Sequence, residues 1–195
     1  MIVVLLSASL ASAQVVVKQS PADVKTRSFD PKHPTSDMPP LKPGEAAVTE
    51  SKFGCGVQIE VEVSQQPGEK PVMKITGVNA TLKLGIVIWL PTDTTKKIKL
   101  HEEGHRQISE MSYKNAKQTA ERIGAKYIGR QLNVPSMEER ETQPVIRKAC
   151  NEFCEEYLGA IEVPSQKIQE RYDEITDHGR NGVPEKDAIA RAMKG

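Results

Sequence analysis

The chain has 195 residues, a formal net charge of +1 and an aromatic content of 4%. This length suits one domain with an ordinary core. A net charge so close to zero gives no field to attract nucleic acid or an anionic membrane, and no basic stretch is interleaved with aromatic residues. The composition therefore does not support nucleic-acid binding.

Residues 1–13 (MIVVLLSASLASA) form an apolar run that ends in an A-x-A cleavage pattern. The run is too short to span a bilayer as a stable anchor. We interpret it as a signal peptide, which predicts an exported bacterial protein, periplasmic or secreted, with no membrane span in the mature chain. The run has no positively charged start, so the true start of the chain stays open. A buried N-terminal strand is the alternative interpretation.

Residues 14–45 are predicted to be a Pro-rich flexible arm. Six prolines lie among lysine, aspartate and serine between residues 18 and 45. Such a composition cannot bury enough apolar surface to order itself. His33 lies in this arm and is excluded from the candidate site. The rest of the chain, residues 46–195, is predicted to be a single domain.

The first part of that domain is predicted to be a small antiparallel or mixed sheet. Residues 56–63 alternate apolar and polar side chains, which is typical of a strand with one exposed face. Residues 71–76 and 80–84 predict two more strands. Residues 85–90 are continuously apolar and predict a strand buried on both faces.

Helical patterns follow the strands and cover residues 94–132, 145–159, 166–176 and 184–193. The first pattern predicts one long helix, or two helices broken near Gly124 or Gly129. Pro164 separates the second pattern from the third, and Gly179 follows the third as an expected helix cap. Because strands precede helices, the predicted class is α+β.

The three cysteines leave the redox state open. Cys55 lies in a predicted strand, and Cys150 and Cys154 lie four residues apart on a predicted helix. One disulfide between Cys55 and either helical cysteine fits an exported protein. A bridge within the helix is strained because the two side chains run nearly parallel. Inert buried thiols are the alternative.

The sequence His101-Glu102-Glu103-Gly104-His105 reads H-E-x-x-H. On a helix, two histidines four residues apart lie on one face and can bind one zinc ion. Glu102 beside them can act as general base toward a zinc-activated water. Ile98 and Ile108 share the helical spacing of the two histidines, so the imidazoles are predicted on the core-facing stripe. A surface helix with solvated side chains is the alternative.

The motif does not supply a third protein ligand. The spacing H-E-x-x-H-x-x-G-x-x-H would need histidine at position 111, where the chain has Met111. A thermolysin-like site would take an acidic residue from a later helix, and the candidates are Glu152, Glu155 and Glu156. His178 is the stronger candidate because it is the only histidine left outside the arm. The alternative is a helix-terminal histidine stabilised by the helix dipole.

A second motif follows in the sequence Tyr172-Asp173-x-x-Thr176-x-His178-Gly179. Together with H-E-x-x-H it resembles a family of secreted bacterial proteins that is catalogued as a domain of unknown function and assigned as zinc-dependent proteases from its motif. The resemblance covers roughly residues 50–182 and implies a zinc-dependent hydrolase, with a zincin-like fold for residues 46–195 as our expectation.

The parts of the second motif suggest roles around one catalytic zinc ion. His178 would complete a three-histidine site, and the Tyr172 hydroxyl would stabilise the oxyanion. Asp173 would accept the free N–H of a ligating imidazole, or itself be a ligand. The alternatives are a core aromatic for Tyr172 and a surface charge for Asp173.

The sequence thus predicts a zinc metallopeptidase that acts on peptide or protein substrates. Its predicted ligands are His101, His105 and His178, and its predicted base is Glu102. Residues 85–90 are the strand predicted to pair with an extended substrate. Two other functions remain open: a non-catalytic exported module that binds zinc or a partner, and a zinc amidase that acts on the cell wall.

Overall fold

A computed structural model describes residues 14–194, in which five strands and four helices form an α+β fold, as the order of patterns predicted. The predicted signal peptide lies outside the described residues. The strands are β1 (Gln14–Gln19), β2 (Asp23–Phe29), β3 (Val48–Ser64), β4 (Val72–Pro91) and β5 (Gln131–Asn133); the helices are α1 (Lys96–Tyr113), α2 (Ala116–Tyr127), α3 (Glu139–Thr176) and α4 (Glu185–Ala192).

Strand β4 is the centre of the sheet, and every other described strand pairs with it. β3 runs antiparallel along one edge of β4, from Val48 opposite Trp89 to Ser64 opposite Val72. The other edge pairs in turn with β5 (antiparallel) and with β1 and β2 (both parallel). β3 therefore keeps one edge that no described strand covers. The prediction of residues 85–90 as the substrate-pairing edge is wrong, because this stretch of β4 has a strand on each side.

The prediction of a flexible arm is wrong for residues 14–29, which form β1 and β2. The Val17 side chain is buried in the core. Val15 lies against Gly124 of α2, where an added Cβ would be 2.6 Å from Val15 Cγ1. β2 buries little beyond Phe29 and is held by its backbone pairing with β4. Of the predicted arm, only the part within residues 30–47, which contain five of its six prolines, remains a long loop without a helix or a sheet strand.

One cluster of buried side chains joins the sheet to α1, α2 and α3. The disulfide between Cys55 and Cys154 also fixes β3 to α3, with Cα atoms 5.6 Å apart, and is one of the two pairings that the sequence left open. Cys150 is a free thiol. A second cluster packs α4 against Ile108 of α1 and Tyr172 of α3. The two clusters hold α1 and α3 side by side.

The helix boundaries differ from the predicted ones. α1 and α2 separate at residues 114–115, and Gly124 lies inside α2, where β1 leaves no room for a larger side chain. α3 continues through Pro164, which is exposed, while Ile161 and Ser165 beside it are buried. We attribute the tolerance of Pro164 to this packing, which offsets the lost backbone hydrogen bond. Within residues 14–194, no helix combines the length and apolar character needed to cross a bilayer.

Candidate metal centre

Helix α1 carries the H-E-x-x-H motif one turn after its start. Thr95 caps the helix, since its Oγ1 accepts a hydrogen bond from the Ile98 N–H at 3.2 Å. His101 and Glu102 are 6% and 4% exposed, respectively. The Nε2 atoms of His101 and His105 lie 3.2 Å apart. The i, i+4 spacing therefore brings both imidazoles to one buried point.

Asp173 comes from the last turns of α3 and meets the same two nitrogen atoms. Its Oδ1 lies 2.9 Å from His105 Nε2 and 3.3 Å from His101 Nε2. Burial alone would raise the pKa of the Asp173 carboxyl, but hydrogen bonds and charges from both histidines outweigh it and lower this pKa below its usual value. Asp173 is therefore a carboxylate placed where a metal ligand is needed.

Gln169, one turn before Asp173, fixes the protonation of His105. Its Nε2 donates to the His105 backbone oxygen at 3.0 Å and to Ser109 Oγ at 2.9 Å, which orients the amide. Its Oε1 then faces His105 Nδ1 at 2.6 Å and accepts the hydrogen of that nitrogen. A metal ion could then replace the hydrogen through which His105 Nε2 bonds Asp173, while Gln169 keeps the hydrogen on Nδ1.

Thr176 acts on His101 in a similar way. Its hydroxyl donates to the Tyr172 backbone oxygen at 2.7 Å, so it is left as an acceptor toward His101 Nδ1, 3.5 Å away. This contact favours a hydrogen on Nδ1, so that a metal ion could replace the hydrogen through which His101 Nε2 bonds Asp173. Thr176 is part of the second sequence motif, whereas sequence reasoning missed Gln169.

The three ligand atoms fit one zinc ion. Ligands held about 2.0–2.1 Å from a tetrahedral ion lie about 3.3–3.4 Å apart. The three separations among His101 Nε2, His105 Nε2 and Asp173 Oδ1 are 3.2, 3.3 and 2.9 Å. Two imidazoles and one carboxylate are also a common donor set for catalytic zinc. The geometry therefore supports Asp173 as the third ligand, the second of the two roles that the sequence suggested for it.

His178 lies next to this group but outside it. Its Nδ1 is 3.8 Å from Asp173 Oδ1. The potential ligand atoms that lie within 4.8 Å of one another form two sets, one of His101, His105 and Asp173, and one of Glu45, Asp173 and His178. The predicted three-histidine site is thus not the arrangement that the described residues form.

Tyr172 is fully buried behind the motif helix. Its ring stacks on His101 with centroids 5.1 Å apart, and its hydroxyl donates to the His101 backbone oxygen at 3.3 Å. An added Cβ at Gly104 would lie 2.1 Å from this hydroxyl, so glycine is what lets the ring reach α1. The hydroxyl faces the helix backbone, which does not support the predicted contact with an oxyanion. Tyr172 positions His101 instead.

A residue of the sheet holds the Glu102 carboxylate in place. The Thr49 hydroxyl of β3 donates to Glu102 Oε2 at 2.7 Å. Burial raises the pKa of the Glu102 carboxyl, although His105, Thr49 and His101 partly offset the shift. A carboxylate with a raised pKa is a stronger base, which suits proton abstraction from water. Thr49 lies far from the motif in sequence and was not predicted.

All four groups, His101, Glu102, His105 and Asp173, line one cleft of about 530 Å³. Its walls come from residues 47–53 of the chain, from α1, from α3 and from the loop of residues 30–47. Three exposed glutamates also line it: Glu50, Glu162 and Glu170. Lys42 is the only lysine or arginine lining the cleft within the described part of the chain.

Comparison of the chain with protein-family models, curated proteins and solved structures gave no match. The resemblance to secreted zinc-dependent proteases therefore remains an expectation that rests on the two motifs. The structure adds that these motifs meet in space: the contact between Tyr172 and His101 joins residues 71 positions apart.

Proposed function

We propose that the protein is a zinc-dependent metallopeptidase of zincin-like architecture. The observation that carries this proposal is the convergence of His101 Nε2, His105 Nε2 and Asp173 Oδ1 beside the buried carboxylate of Glu102, all on one open cleft. A site closed by protein ligands would favour a structural metal, whereas an open site leaves room for water and substrate. We assign zinc because this donor set suits it.

The side chains of the site have separate roles in the proposed reaction. His101, His105 and Asp173 would hold the ion, which would supply Lewis-acid polarisation of a carbonyl and a lower pKa for bound water. Glu102 accepts the proton of the attacking water and transfers it to the leaving amine. Thr49 fixes the Glu102 carboxylate, and Gln169 fixes the His105 tautomer.

Substrate would bind along β3. The cleft is bordered by residues 48–51 and Phe53 of this strand, whose second edge no described strand covers. The side chains of Thr49 and Ser51 contact α1 at Glu102 and Ser109, so the strand runs beside the motif helix. An extended peptide that adds to this edge by backbone hydrogen bonds would pass the metal centre.

The charge of the cleft favours positively charged peptides. Glu50, Glu162 and Glu170 add carboxylates at its border, and Lys42 alone opposes them among the described lysines and arginines. A cleft lined by one sign of charge attracts the opposite charge and accelerates its association. We expect peptides that contain lysine or arginine to have higher kcat/KM values than neutral analogues, and the difference to shrink at high salt.

The disulfide supports the proposed location outside the cytoplasm. Bridges such as Cys55–Cys154 persist in oxidising compartments and are rare where thiols are kept reduced. The signal peptide proposed for residues 1–13 would bring the chain to such a compartment.

The direct test is the Glu102→Gln variant, loaded with zinc and assayed on a mixed peptide library. We expect it to retain its zinc and lose at least about 100-fold in kcat/KM, because the base is removed while the ligands stay. Glu103→Gln is the matched control, since Glu103 pairs with Arg106 on the outer side of α1. Equal rates for Glu102→Gln and wild type would refute the mechanism. Zinc binding without any cleavage by wild type would favour the non-catalytic module.

A further inference from the structure

A second set of potential metal ligands adjoins the first. One ligand atom each from Glu45, Asp173 and His178 lies within 4.8 Å of the other two. The three residues come from different segments: the loop of residues 30–47, the end of α3 and the turn after it. Asp173 belongs to both sets, which makes it the shared member of two neighbouring groups.

The backbone after α3 turns His178 back toward the site. Asp177 and His178 both adopt left-handed conformations, with φ of 51° and 50°, and Gly179 follows with φ of 75°. Residues other than glycine rarely adopt this backbone conformation, and two such residues in succession need support from their surroundings. Gly179 lies against His101, where an added Cβ would be 2.8 Å from His101 Cγ.

His178 Nδ1 is buried and has no hydrogen-bond partner among the described residues. Its distance of 3.8 Å from Asp173 Oδ1 is too long for a hydrogen bond. Buried polar nitrogen atoms almost always have a hydrogen-bond or metal partner, so a partner is expected for His178 Nδ1. The space between His178, Asp173 and Glu45 is where such a partner would lie.

Glu45 brings a second carboxylate to this space. Its side chain is only 14% exposed, and its Oε2 accepts a hydrogen bond from the Lys42 N–H at 2.9 Å. The Lys42 ammonium is 3.9 Å from Oε1 and is itself largely exposed. Glu45 and Asp173 thus bring two largely buried carboxylates close to His178, and two carboxylates with one imidazole are a donor set that suits a divalent cation.

We propose that Glu45 and His178 bind a second divalent cation beside the first, with the Asp173 carboxylate bridging the two ions. The inference rests on the proposed function, because the first ion is held by His101, His105 and Asp173. The Asp173 Oδ1 atom that faces His101 and His105 is also the oxygen 3.8 Å from His178 Nδ1, and a carboxylate oxygen has more than one lone pair to offer. Paired ions about 3.5–4 Å apart are a known catalytic arrangement, in which each ion stabilises one of the reacting oxygens.

The test measures zinc stoichiometry, which does not depend on activity. The full chain is stripped with a chelator, dialysed to equilibrium against zinc alone and analysed for metal and protein. We expect about two ions per wild-type chain and about one for Glu45→Gln and for His178→Ala. Glu50→Gln, a carboxylate of the same cleft outside both sets, should keep both ions. Circular dichroism checks that each variant is folded.

The outcomes separate this inference from the proposed function. One ion in wild type and one in Glu45→Gln would overturn the second site and leave the metallopeptidase proposal standing. Loss of all zinc in His178→Ala, with one ion still bound by Glu45→Gln, would make His178 a ligand of a single ion and would also overturn it. No zinc in wild type would refute both. Titration with cobalt adds a spectroscopic readout, since two sites should fill in two phases.

Discussion

Gln169 offers the sharpest test of how the metal centre is built. Its amide makes three contacts, with His105 Nδ1 at 2.6 Å, the His105 backbone oxygen at 3.0 Å and Ser109 Oγ at 2.9 Å. Replacing Gln169 with alanine removes the acceptor that keeps the hydrogen on Nδ1. The other tautomer of His105, which blocks Nε2, then competes with the form that binds metal.

The expected effect is a weaker metal site with unchanged ligands. Removing the partner of a ligating histidine typically lowers metal affinity by about 10- to 100-fold, or about 1.4 to 2.8 kcal/mol. Because the 2.6 Å contact is short and lies in a largely buried place, we expect Gln169→Ala to fall within this range. Gln169→Glu keeps an acceptor for Nδ1 and should restore most of the affinity.

The assay is competition for zinc between the stripped protein and a chromogenic chelator. Gln166→Ala is the matched control, because Gln166 lies on the same helix and its side chain, among residues 14–194, donates only to Glu170 Oε1, at 2.9 Å. Thermal unfolding of the stripped proteins separates loss of affinity from loss of folding. If Gln169→Ala binds zinc as tightly as wild type, the argument that Gln169 sets the His105 tautomer is refuted.

Two further predictions concern stability. Gly104→Ala should lower the free energy of unfolding by roughly 1–3 kcal/mol in a urea titration, because its Cβ would lie 2.1 Å from the Tyr172 hydroxyl. Replacing both Cys55 and Cys154 with alanine should lower it by up to about 4.7 kcal/mol, since the bridge spans 99 residues and restrains the unfolded chain.

Each of these variants has a control within the chain. Gly159→Ala changes a glycine of α3 that has no atom within 4 Å of the added Cβ, so it should stabilise the protein by up to about 1 kcal/mol. A loss of stability there would show that the Gly104 result is not specific to Tyr172. Cys150→Ala removes the free thiol and should change stability little. If it matched the double variant, the loop-closure argument would fail.

The H-E-x-x-H helix was predictable because its signal is local. Two histidines and a glutamate within five residues, on an apolar stripe, determine their own relative geometry once the helix forms. The second motif was also visible, and the structure gives its members distinct places around His101. The sequence favoured His178 over Asp173 as third ligand, and local patterns could not correct this choice because it depends on a left-handed turn at residues 177–178.

Gln169 and Thr49 could not be assigned in the same way. Gln169 lies four residues before Asp173 and shares its helix face, a signal that could have indicated it. Nothing around Thr49 indicates that it will meet Glu102, 53 residues away. Such contacts depend on how β3 and α1 pack, which local patterns do not specify.

The errors in the fold have similar causes. β2 exposes nearly all its side chains, so it shows no apolar alternation, and its structure comes from backbone pairing with β4. Pro164 is a strong signal for the end of a helix, but the buried neighbours Ile161 and Ser165 keep α3 continuous. In both places tertiary contacts prevail over local preference.

The central position of β4 has a consequence for folding kinetics. β1 and β2 can pair only after their partner strand, which begins at Val72, is available. The site also needs contacts between residues far apart in sequence. His105 and Gln169 are 64 residues apart, and His101 and Tyr172 are 71 apart. Such a high contact order predicts slow folding. Recovery of the proposed zinc binding during refolding should therefore coincide with completion of the native fold. A partly synthesised chain should lack the assembled cluster of His101, His105 and Asp173.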